Sequence, residues 1–113
     1  MADTELTRLR HRYRALQDQL RQLGFIASGS VVLRYTVCAS PGCRCHADPP
    51  VRHGPYFQHT RKITGKTVTR RLTAEQADRY REQIANRRTL DQLITEMEQI
   101  SSKARELPST EPS

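Results

Sequence analysis

Apolar residues fall along this chain in two long seams, separated by a stretch where the alternation shortens to every second position. Leu6, Leu9, Tyr13, Leu16, Leu20 and Leu23 recur at spacings of 3, 4, 3, 4 and 3, with Arg, Gln, Thr, Asp or His at almost every position between them. That spacing puts one apolar line down a helix. Residues 4–23 are therefore expected to be helical, with Asp3 or Thr4 capping the start and Gly24 stopping the end. Leu90, Leu93, Met97, Ile100, Ala104 and Leu107 repeat the same spacing. This second helix is expected over 73–107. Thr73 can cap it, Glu75 and Gln76 suit the free amides of its first turn, and Pro108 ends it. Both seams are narrow, which suits a coiled-coil partner better than a broad core, and the first helix is too short to be stable alone. Antiparallel pairing of the two would leave part of the longer helix bare. A second copy of the chain would cover it, so a homodimer is expected.

Between the helices the period is two. In SVVLRYTV, Val31, Leu33, Tyr35 and Val37 point to one side and Val32, Arg34 and Thr36 to the other. PYFQHTRKITGKTVTRRL reads as a hairpin turning at Thr64–Gly65. Phe57, Ile63, Val68 and Leu72 form its inner face, interrupted by His59, Arg61 and Arg70. Thr60, Lys62, Thr67 and Arg71 form the outer face. The expected fold is α+β: an N-terminal helix, a small three-stranded antiparallel sheet with a zinc-knuckle-like loop over 28–72, and a long helix that pairs with the first as a coiled-coil hairpin. One domain is expected over 1–107, with 108–113 as a disordered tail.

Only 35% of the 113 residues are hydrophobic and none is Trp, so a globular core needs help from helix pairing, a metal or a second subunit. No apolar run approaches the length of a membrane span, and the N-terminus, with acids before bases, lacks the apolar segment of an export signal. With three cysteines, an odd number, the expectation is reduced thiols and a cytoplasmic protein.

The formal charge of +7 is concentrated in the middle. Residues 24–72 carry Arg34, Arg44, Arg52, Arg61, Lys62, Lys66, Arg70 and Arg71 against Asp48 alone. Solubility does not require such segregation, whereas attraction of a polyanion uses it. These eight cations are the expected nucleic-acid contacts, with DNA the favoured target. The same scarcity of acids argues against paired-carboxylate and magnesium-dependent chemistry. With no phosphate-cradling glycine loop either, an enzyme is not expected.

All three cysteines lie in VCASPGCRCHADPPVRHGPYF, residues 37–57. The spacing is C-x4-C-x-C, with a Pro41–Gly42 turn able to fold Cys43 and Cys45 back towards Cys38. His53 stands just before the hairpin, where its ring can complete a tetrahedron. Cys38, Cys43, Cys45 and His53 are the expected ligands of a structural zinc ion. His46 is the other candidate for the fourth position, although adjacent Cys and His side chains diverge. His59, in mid-strand, reads as a packed or surface ring. Three thiols packing as small hydrophobes is the competing account. Redox chemistry lacks a C-x-x-C pair, and a nucleophilic cysteine lacks a visible base.

These motifs resemble those of a family of short prokaryotic proteins of unknown function, with a pattern close to R-C-x3-G-C-x-C, HGPY-aromatic, strand–GK–strand and a helix rich in Arg and Glu. The likeness spans residues 28 to about 100 and matches Cys38, Gly42, Cys43, Cys45, His53, Gly54, Pro55, Tyr56, Gly65 and Lys66. It favours His53 over His46, and implies a setting near mobile elements, as accessory to a transposase or recombinase. The chain departs from the pattern at TVC, where a basic residue more often precedes the first cysteine, and at Pro49–Pro50. Two functions are therefore in contention: a nucleic-acid-binding module, or a coiled-coil protein-interaction adaptor with a zinc end-cap.

Overall fold

The computed structural model describes residues 4–108, so Asp3 and most of the expected tail lie outside the described residues. The elements are α1 (Glu5–Gln22), β1 (Ser30–Thr36), a short 3-10 turn (Arg44–His46), β2 (His53–Ile63), β3 (Lys66–Leu72) and α2 (Ala74–Glu106). The three strands form one antiparallel sheet in the order β1-β2-β3, as the α+β reading expects. The chain divides into two compact units: one from the described residues of 1–25 and 86–113, the other from 26–85.

The first unit is an antiparallel helical hairpin. Thr4 caps α1 by accepting the Thr7 amide at 3.0 Å. At the other end Gly24 is not in the left-handed region expected of a helix stop. Leu23 ends the helix in extended backbone, and Gly24 packs close enough to Asn86 that a Cβ would lie 3.2 Å from its Nδ2, so that side chain would have to shift slightly. Asn86 donates to the Phe25 carbonyl at 2.9 Å, and Arg12 pairs with Glu96 at 2.8 Å. These rungs fix the antiparallel alignment, although an exposed ion pair contributes at most about 1 kcal/mol. The leucine seams supply the rest: Leu16 is fully buried and Leu93 is 5% exposed. Leu6, Leu9, Tyr13, Met97 and Ile100 are only half-buried, because two helices cannot enclose a seam between them.

In the second unit the first turns of α2 lie on the sheet. Thr73 and Gln76 form a reciprocal capping box: the Gln76 amide donates to Thr73 Oγ1 at 3.1 Å and the Thr73 amide to Gln76 Oε1 at 3.0 Å. Ala77 and Ile84 are buried there with Leu72, and Tyr80 stacks on His59 with ring centroids 4.4 Å apart. The sheet's own inner face covers this stretch of α2.

Register assigns the two faces as the period-two pattern anticipates. Leu33–Phe57–Leu72 and His59–Arg70 are cross-strand neighbours on the helix side, while Val32–Gln58–Arg71 and Lys62–Thr67 lie on the other. The helix is too narrow to cover the whole inner face, so Ile63, Val68 and Leu33 remain exposed. The hairpin turns at Thr64 (φ +48°) and Gly65 (φ +79°), the two positive angles of a type I′ turn. Glycine takes such an angle freely, but a β-branched residue does so under strain. Thr64→Asn should relieve about 1 kcal/mol and raise Tm by about 4–8 °C in a thermal melt.

Candidate metal centre

The loop between β1 and β2 gathers the sulfurs in three steps. Ser40 to Cys43 form a turn with Pro41 and Gly42 at its centre, closed by the Cys43 amide donating to the Ser40 carbonyl at 3.1 Å. The 3-10 turn follows at once, with the His46 amide donating to the Cys43 carbonyl at 3.0 Å and that of Ala47 to Arg44 at 3.1 Å. Its tight winding points Cys45 inwards, where it is 2% exposed, and His46 outwards. Finally the Val51 amide donates to the Arg44 carbonyl at 2.9 Å, returning the chain towards the sheet.

The β1–β2 ladder delivers the remaining side chain. Thr36 pairs with His53, so Cys38, two residues beyond the end of β1, and His53, the first residue of β2, share one end of the sheet. The pairing is irregular there: Arg34 faces Tyr56 and Thr36 faces His53, leaving an extra residue in β2. Gly54 takes up the irregularity with φ +115°, and a Cβ on it would lie 2.6 Å from the Arg34 carbonyl oxygen. Only glycine fits.

As a result the three Sγ atoms and one His53 ring nitrogen all lie within 4.8 Å of one another. Cys38 Sγ and Cys45 Sγ are 3.6 Å apart, and Cys43 Sγ is 3.2 Å from His53 Nε2. Donors at about 2.0–2.3 Å from a tetrahedral ion would be separated by about 3.5–3.8 Å, so the four side chains could hold a metal ion with small adjustment. Among the described residues no disulfide forms.

The surroundings differ from sulfur to sulfur. Backbone hydrogen bonding at Ser40, then contacts with Cys43 and Cys45, hold the Cys38 thiol below its ordinary pKa. Backbone hydrogen bonding at Cys45 does the same for Cys43. Burial pushes Cys45 up, although the Cys38 amide donates to its sulfur at 3.3 Å. Two thiols are thus predisposed to ionise, and a cation in the centre would bring the third down with them.

His46 is not part of the cluster. Its Nε2 lies against the Cys38 carbonyl oxygen, tying the loop to the strand end. His59 is the packed ring that one of its two sequence readings anticipates: 6% exposed, against Tyr80, with Nε2 at 2.8 Å from the Ser28 carbonyl oxygen. The eight cations do not form one patch. Arg61, Lys66 and Arg70 stand on the helix side of the sheet, and Arg70 Nη1 reaches Tyr80 Oη at 3.4 Å. Arg34, Lys62 and Arg71 stand on the helix-free side, and Arg44 and Arg52 lie exposed in the loop. The sequence reading did not anticipate the Arg71 guanidinium, 3.4 Å over the Tyr56 ring centroid. In the sequence Tyr56 stands out only as part of HGPY.

A family model described as a domain of unknown function (DUF6788) matches residues 6–82. The chain belongs to that family. No curated protein and no solved structure matches it. The matched span takes in α1, the whole sheet, the complete Cys/His cluster and the first turns of α2, so the candidate centre lies within the family's domain.

The choice between histidines can be checked with cobalt(II) as an optical probe. His53→Ala should weaken binding by more than the roughly tenfold loss typical of an outer-shell change, while His46→Ala keeps the thiolate-to-cobalt band.

Proposed function

We propose that this chain is a non-enzymatic nucleic-acid-binding module, with DNA the favoured target, in which a structural zinc ion clips a cation-rich sheet. One observation carries the reading. The three paired strands contain no carboxylate, yet hold Arg34, Arg61, Lys62, Lys66, Arg70 and Arg71. With no internal acid to neutralise it, such a field draws a polyanion from solution.

Zinc is the ion the donor set favours. Three sulfurs and an imidazole are too soft for calcium or magnesium, which take oxygen ligands. A tetrahedron filled by four protein donors leaves no open position for a substrate, which supports a structural and not a catalytic ion. Reduced thiols suit the cytoplasm. The half-covered seam of the helical hairpin supports a homodimer in which a second hairpin completes a four-helix core. An accessory role beside a recombinase or transposase is supported by the sequence resemblance alone. Among the described residues no helix is long and apolar enough to cross a membrane.

Metal analysis should return one zinc per chain, lost in Cys43→Ser. Light scattering should give twice the 13.0 kDa of the chain. In a mobility-shift titration over a salt series, the logarithm of affinity should fall with that of salt by about 0.9 for each phosphate neutralised on duplex DNA. If neither DNA nor RNA is retarded at low salt, the nucleic-acid reading fails.

A further inference from the structure

The two faces of the sheet differ in what they can offer a ligand. On the inner face, α2 covers Phe57, His59 and Leu72, and Arg70 is engaged by Tyr80. The other face carries no helix in this unit. Arg34 from β1, Tyr56 and Lys62 from β2, and Arg71 from β3 share it, with Gln58 directly beside Arg71. The three cations are exposed, and none pairs with a carboxylate among the described residues.

We infer that this helix-free face binds single-stranded nucleic acid, with a base stacking on the Arg71–Tyr56 pair and phosphates meeting Arg34 and Lys62. The inference rests on the nucleic-acid reading above and narrows it to one surface and one form of ligand.

Three features point this way. The first is charge: three cations and no acid on one side of a sheet suit a polyanion. The second is the stack. An exposed arginine whose guanidinium lies 3.4 Å over a phenol ring offers a cationic platform, and both groups are ones on which unpaired bases stack. An acidic peptide would use the charge but not the platform. The third is shape. A face three strands wide spans about 10 Å between its edge strands, which suits a strand lying across it, whereas the major groove of a duplex admits a helix or a two-stranded ribbon. Gln58, Thr60 and Thr69 add hydrogen-bonding groups within the same face, able to meet base edges that a duplex would hide.

The test is fluorescence anisotropy on the full, metal-loaded chain. Its probes are an oligothymidine of about twelve nucleotides, the matching oligouridine and a duplex of equal length, with polyglutamate as competitor. The single strands should bind at least about fivefold tighter than the duplex, and polyglutamate should compete poorly. Arg34→Gln with Arg71→Gln should weaken single-strand binding at least about tenfold, while Arg61→Gln with Lys66→Gln, an equal loss of charge on the other face, changes it less than about twofold. Tyr56→Leu, which removes no charge, should weaken it about fivefold or more. Arg34→Gln with Lys62→Gln alters only exposed side chains and repeats the test without touching the stack. Equal weakening by the two face-specific pairs, a preference for duplex, or equal capture of polyglutamate would each overturn the inference while leaving a nucleic-acid or polyanion binder in place. Failure of the wild type to bind any nucleic acid would overturn both. Comparison of the two single strands distinguishes DNA from RNA.

Discussion

Between residues 26 and 85 very little apolar surface leaves the solvent. Leu72, Ala77 and Ile84 are buried between sheet and helix, and Cys45 is buried in the loop, while Leu33, Tyr35, Val37 and Val51 stay exposed. A three-stranded sheet with so thin a core is marginal on burial alone. The convergence of Cys38, Cys43, Cys45 and His53 is therefore the constraint on which the unit depends: it joins the end of β1, the loop and the start of β2 at one point. An ion held there would couple its binding free energy to folding, because the unfolded chain keeps these four groups apart. An ion closing the loop in this way would also fix the β1–β2 register at the end where the ladder is irregular.

Much of the fold could be read from the sequence because its signals are local. Two unbroken heptad-like seams, a capping box at Thr73 and a Thr-Gly turn between alternating strands each determine their own element within a few residues. What could not be read this way depends on contacts distant in sequence. Nothing near Gly24 shows that it packs against Asn86, more than sixty residues away in the chain. Nothing in the opening of α2 shows that its first turns belong to the sheet and the rest to a helical hairpin, since the Tyr80–His59 stack joins residues far apart in the chain.

The candidate centre was legible for a similar reason. C-x4-C-x-C around Pro-Gly describes a tight turn, and the divergence of neighbouring Cys45 and His46 follows from the winding of one 3-10 turn. His53 was harder, because its place depends on strand pairing across the sheet. The cations were the least legible. Their number and segregation were plain, but alternation divides them between two faces, and only the position of α2 distinguishes a covered face from an open one. The Arg71–Tyr56 stack, which spans β2 and β3, leaves no trace in spacing.

His53 and Tyr56 stand three residues apart on β2, and the residue just before the phenol is Pro55, whose ring fixes φ at that point. One strand thus serves two sites. A guest that fixes the phenol ring and an ion that fixes the imidazole would each favour the same strand geometry, and thermodynamic reciprocity would then make each tighten the other by an equal factor.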